Sequence, residues 1–245
     1  MENTKKNQLV APAIIIGIAI VATSLVASLS ARLFAYKNDT IAVTGTAERV
    51  VDSDTAKWTI TVTTQAKTVE LGTPAIIKAT KQVQDFLLSH NVLASTTEVS
   101  AITNTQQCAL TSQGYTNCDL GITGYTLNQS IVVESTDVNA IDKLTKDISA
   151  TLNNINFTQY VEYYYNNLKN IRADMLNEAT KNALERAKSV AEAGGAEIGK
   201  ITSLSSGVFQ VTAENSVNYD DGGSYDTSVI KKKITATVKA NFSVR

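Results

Sequence analysis

The chain is short of the residues that most often carry chemistry. It has one histidine, two cysteines, two prolines and one tryptophan in 245 residues. The lone His90 has no Cys, Asp or Glu cluster beside it, so the common zinc-ligand patterns are absent. No GxGxxG, P-loop, HExxH, GxSxG or CxxC occurs. No proline follows Pro74, and no Gly/Ser-rich linker marks an internal boundary. Charge of one sign is lacking too. Twenty-two basic residues meet 23 acidic ones for a net charge of −1, which gives no basic face of the kind that neutralises nucleic-acid phosphates. The sequence therefore predicts no metal, no cofactor, no nucleic-acid partner and no enzyme.

What is present begins at the N-terminus, where charge is missing altogether between Lys6 and Arg32. A helix over Leu9 to Leu29 would rise ~1.5 Å per residue and span roughly 30 Å, the thickness of a bilayer's hydrocarbon core. The reading is an uncleaved signal anchor: cytoplasmic tail 1–8, transmembrane helix 9–31, linker 32–39 and extracytoplasmic domain 40–245. A cleaved signal peptide is the alternative, with Lys5 and Lys6 as its basic start and Ser28 and Ser30 as small residues before the cut. Its apolar core would be unusually long. Lys5 and Lys6 on one flank balance Arg32 and Lys37 on the other. The free amine and the cysteines favour a cytoplasmic N-terminus, with the main domain periplasmic or extracellular.

Cys108 and Cys118 flank a turn-like segment around Gly114. In an oxidising compartment such a pair closes a hairpin loop as a disulfide. Two free thiols or a metal site are the other readings, and the metal lacks further ligands.

Residues 56–66 alternate, with Ala56, Trp58, Ile60 and Val62 on one face and Lys57, Thr59, Thr61 and Thr63 on the other, a half-buried strand. Thr73-Pro74 reads as a helix start. Thr97–Thr105 and Gly124–Ser135 read as a long hairpin around the cysteines. Asp137 caps a second helix, and 155–165 alternates again. Leu168 to Ala193 is a long helix with an alanine face, stopped by Gly194-Gly195. The end of the chain alternates from Ile230 to Val244. The predicted fold class is α+β: a mixed β-sheet with packed helices, preceded by one N-terminal transmembrane helix.

Four stretches resemble the SIMPL-domain family. IAVTGTAERVVDSDTAKWTITV is similar to its strand-Gly-strand start: Val43 and Gly45 keep the V-x-G, and Ser53 stands where proline is usual. Gly124-Tyr125 with Leu127-Asn128 resembles its central strand. AKSVAEAGGAEIGKITSLS resembles its alanine-rich helix, Gly and "L-G" strand, and ITATVKANFSV its last strand. The resemblance covers Thr40 to Arg245. It implies a SIMPL-like fold, an extracytoplasmic location, ring- or channel-like homo-oligomers as in some members, and a link to stress tolerance. It supplies no catalytic residues to transfer.

The remaining candidates are surface features. His90 falls at a predicted helix end, where its charge suits the dipole. Glu214, Asp220, Asp221 and Asp226 lie in a polar, Gly-containing loop whose spacing fits no EF-hand. Tyr160, Tyr163, Tyr164 and Tyr165 crowd one strand, with Tyr164 and Glu162 opposite Tyr163 and Tyr165. Core packing is one reading and a subunit interface the other. The functional expectation is a membrane-anchored structural or interaction protein that self-assembles into a homo-oligomer. A monomeric ligand- or partner-binding module of the cell envelope is the alternative.

Overall fold

A computed structural model describes residues 16–30, 40–216 and 222–245. The cytoplasmic tail 1–8, residues 9–15 and 31 of the expected anchor, and the linker 32–39 lie outside the described residues. Residues 16–30 form a helix, α1, with every side chain exposed. Among the described residues no helix is long and apolar enough to cross a membrane.

Beyond α1 the chain forms two compact units. Of the described residues beyond α1, the central unit holds those of Glu48–Met175 and Val208–Thr235, and the terminal unit holds Thr40–Ala47, Leu176–Gly207 and Ala236–Arg245. Strand β1 (Thr40–Asp52), the long helix Leu168–Ala193 and the last strand Lys231–Val244 contribute residues to both.

The central unit starts with β2 (Thr55–Ala66) and α2 (Val69–Ser89). Then come β3 (Thr97–Val99), β4 (Thr103–Cys108), β5 (Ile122–Ser135), α3 (Val138–Thr151) and β6 (Phe157–Tyr164). The sheet order is β3-β5-β2-β6, with β4 also on β5. Each pairing in this sheet is antiparallel. One mixed sheet was expected, and two sheets with antiparallel ladders are found. The crossover through α2 does carry β4 in the direction of β2. But β5 turns back between them, and β2 likewise separates β5 from β6. Two split βαβ units thus interlock so that no parallel neighbours meet.

One face of this sheet is the core. Trp58, Ile60, Val62, Leu127, Ile131 and Val133 meet Ile76, Val83, Phe86 and Leu87 of α2 and Ile141, Leu144 and Ile148 of α3. Each fully buried side chain of this size contributes roughly 1.5–3 kcal/mol. Trp58 Nε1 donates to Gln159 Oε1 (2.9 Å), whose amide donates to Thr145 O (2.8 Å), so the buried indole ties β2, β6 and α3 together. Asp137 caps α3 by accepting from Ala140 N (3.0 Å). Helix α2 begins at Val69, a turn earlier than Thr73-Pro74 suggests. Thr68 is its N-cap, and Pro74 sits inside it. Gly72 there is a packing requirement: a Cβ would stand 2.6 Å from the Leu127 side chain.

In the terminal unit, β9 (Lys231–Val244) lies between β1 and β7 (Ile198–Ser206), and in the central unit β8 (Gln210–Ala213) pairs with the start of β9. Helix α4 (Leu168–Ala193) lays Ala179, Ala183 and Ala187 on Ala47, Val238, Ala240 and Phe242. The fit is close: a Cβ on Gly45 would overlap the Ala179 carbonyl and the Ala183 amide. Gly195 takes φ +70° just beyond α4 and accommodates its stop.

Candidate interaction surface

The tyrosine strand β6 is an edge: it pairs with β2 alone among the named strands. The four tyrosines divide. Tyr163 points into the core and donates to Asp142 Oδ1 (3.0 Å). Burial first, and then that bond, push its hydroxyl up to about 12. Asp142 is held low, mainly by Lys146 at 2.6 Å. Tyr160 is 58% exposed, on the opposite face with Glu162 and Tyr164. Tyr164 is half-buried, with its ring centroid 6.2 Å from that of Tyr225. Tyr165 falls one residue past the strand, and its amide donates to Tyr225 Oη (2.8 Å). The expected alternation thus holds through Tyr164.

The face of the central sheet opposite the helices is a lattice of hydroxyls and amides. Thr61 bonds Ser130 (3.0 Å), Thr63 donates to Asn128 (2.8 Å) and Gln107 donates to Thr126 (2.8 Å). At one end lies an open depression of about 530 Å³ lined by Thr55, Glu98, Val132, Glu134 and hydroxyls from 95–97 and 135–136. Its hydroxyls largely serve local structure: Thr96 and Thr97 donate to Leu93 O, and Ser135 accepts from Asp137 N.

Cys108 and Cys118 form a disulfide, with Cα atoms 4.6 Å apart. It staples a small hairpin in which Thr111 N donates to Tyr115 O (2.8 Å) and Gly114 takes φ +83°. That tip exposes Leu110 (65%), Tyr115 (71%) and Leu120 (58%). The sequence contains the signal for this surface in an absence, since between Glu98 and Glu134 only Asp119 is charged.

The other candidates resolve into structure. His90 follows α2, its Nδ1 2.8 Å from Phe86 O and its ring 4.3 Å from the Phe86 ring. Of the acidic loop, Asp220 and Asp221 lie outside the described residues. Asp226 is kept low chiefly by the Ser228 hydroxyl and amide, both at 2.7 Å. The run Lys231, Lys232 and Lys233 at the start of the last strand suggests by its charge a guard for an exposed strand edge. Instead β9 is an inner strand and Lys232 is fully buried, donating to Asp226 O (2.5 Å) and Val229 O (2.8 Å). Burial lowers its pKa, and the Asp226 charge opposes that shift. Among the described residues no group of three or more His, Cys, Asp or Glu is placed to hold a metal ion.

No curated protein matches the chain. The profile of the SIMPL family, described as protein of unknown function (DUF541), matches residues 41–242, taking in both units and the Gly45 contact, and the chain belongs to that family.

Proposed function

We propose that this is a single-pass membrane protein whose main domain lies outside the cytoplasm. There it acts as a structural or interaction protein by assembling into a closed homo-oligomer. The observation that carries this reading is the β6 edge: β2 is its one neighbour among the named strands, Thr227 O covers it at the Tyr163 amide, and Tyr160 stands exposed beyond that bond. Exposed strand edges pair unless blocked, and tyrosine is enriched at subunit contacts. Two further features support it. The disulfide suits an oxidising compartment. In α1 the hydroxyls of Thr23, Ser24, Ser28 and Ser30 all return to the helix's own carbonyls, as apolar surroundings demand. Anchored copies share a plane, which raises their effective concentration and lets weak contacts suffice. The resemblance to members linked with stress tolerance supports a role in the cell envelope.

Sedimentation of the detergent-extracted full chain tests this. The expected result is a discrete oligomer that Tyr160→Asp, and Tyr164→Asp beside it, shift toward monomer. A monomer at tens of micromolar would remove the reading. It would favour a monomeric ligand- or partner-binding module of the envelope, for which the polar depression at Glu98 and Glu134 is the natural site.

A further inference from the structure

Strand edges differ in how they are protected, and the comparison singles out one. In the terminal unit the β1 edge is occupied: Asn182 Oδ1 accepts from Thr46 N (3.0 Å) and Arg186 donates to Thr44 O (2.6 Å). The β7 edge carries Lys200 and two register shifts against β9. Bulges and lysines are ordinary guards against edge pairing. In the central unit β6 carries Glu162, and its Tyr163 amide already donates to Thr227 O (2.8 Å). The opposite edge, β4, carries no charged residue over Thr103–Gln106, and its register shift lies beyond them, between Gln107 and Cys108. Thr103, Asn104, Thr105 and Gln106 are all exposed, without charge or proline. Only at Gln107, where the register shifts, does a side chain reach the strand's carbonyl, from Thr123 (3.0 Å).

We infer that β4 pairs antiparallel with β4 of a second copy about a two-fold axis at Thr105, joining two five-stranded sheets edge to edge. This names a contact surface within the self-assembly proposed above and rests on that reading. The geometry follows from the pleat. Directly opposed residues share a face, so a two-fold normal to the sheet sets one residue opposite its own copy, and Thr105 is the middle residue of Thr103–Gln107, the part of β4 before its register shift. Thr103 then faces Gln107 and Asn104 faces Gln106. A two-fold sets each residue against its own neighbourhood, so a charged edge would repel itself, and this one does not. Beyond Cys108 the chain continues toward the 99–102 segment of the second copy, where the register against β5 shifts by one residue between Val99 and Thr103. The stapled tip then runs toward that copy's Val99 and Leu93. Those two are 36% and 64% exposed, and Leu110 is 65% exposed. The axis brings each tip to the other copy's exposed apolar end, twice over.

Two variants of the full chain in mild detergent test this. Thr105→Cys sets two thiols across the axis. Oxidation is expected to give a covalent dimer whose linked peptide maps to position 105 on both chains, with Cys108–Cys118 intact. Thr202→Cys on β7 should give none. Thr105→Lys, at an exposed position, opposes like charges and should bring the sedimenting mass to half the wild-type value or less. A wild-type assembly that Thr105→Lys leaves unchanged, and that Thr105→Cys does not cross-link, overturns the β4 contact and leaves self-assembly standing. A monomeric wild type overturns both.

Discussion

The hydroxyl of Tyr163 sits inside the central unit against the Asp142 carboxylate, and that placement has a consequence at high pH. Burial and the neighbouring carboxylate raise its pKa from the usual 10.0 to about 12. Below pH 10 the tyrosine is protonated in folded and unfolded chains alike, and its contribution to stability is complete. Between pH 10 and about 12 the unfolded chain releases the proton while the folded chain keeps it, so stability falls as pH rises. Urea midpoints measured from pH 8 to 11.5 should therefore decline more steeply for the wild type than for Tyr163→Phe. At neutral pH the variant gives up one hydrogen bond, about 1 kcal/mol. Parallel declines would show that Tyr163 is not the source. Gly45 makes a different point at the same scale. Nothing local requires glycine there, and the V-x-G pattern reveals only that one is present. Its cause is the backbone of α4 lying where a Cβ would be, a contact distant in sequence.

At the scale of elements, the β4–β5 hairpin is held in two independent ways. Its base is built into the sheet by the β2–β5 ladder from Ala56↔Ser135 to Ala66↔Tyr125, and its tip is closed by the disulfide. Breaking the staple should free the tip and spare the sheet. Cys118→Ser is expected to lower stability by about 2–3 kcal/mol, the order for a loop of this size. Amide exchange should accelerate across 109–121 beyond the uniform increase that the lower global stability gives β2. An increase in β2 larger than that loss accounts for would mean that the tip supports the whole unit. The same hairpin marks how far the sequence could be read. Its two halves, the cysteine loop, the Asp137 cap and the full extent of α4 were all legible, because period, cap and turn residues are local signals. The start of α2 was not: Thr73-Pro74 reads as a helix start, yet Thr68 is the N-cap, Gly72 admits Leu127 and Pro74 is accommodated one turn in. Sheet order was illegible for a related reason. Crossovers give strand direction, while the insertion of β5 beside β2 is decided by which apolar faces meet. Lys232 misled because its sequence neighbours are exposed or half-exposed lysines; only the carbonyls of Asp226 and Val229 explain its burial.

For the whole molecule, the proposed anchor decides what the domain can meet. A chain held at one end by an uncleaved helix samples partners in the membrane plane, and two-fold pairing at β4 and contacts at β6 would then act between neighbours already confined. A cleaved chain would diffuse freely and need stronger contacts to assemble. The uncharged stretch from Asn7 to Ala31 is longer than the apolar core of roughly 7–15 residues that a signal peptide uses. In α1 its hydroxyls are satisfied without solvent. The protein extracted from membranes is therefore expected to have the intact mass of the full chain, less the initiator methionine where that is removed. It should also stay with the membrane through an alkaline carbonate wash, which strips peripheral proteins. A mass beginning near Ala31 or Tyr36, with the protein released by the wash, would make the segment a cleaved signal. The oligomer would then have to be sought in solution, at concentrations where β4 and β6 must hold it without a tether.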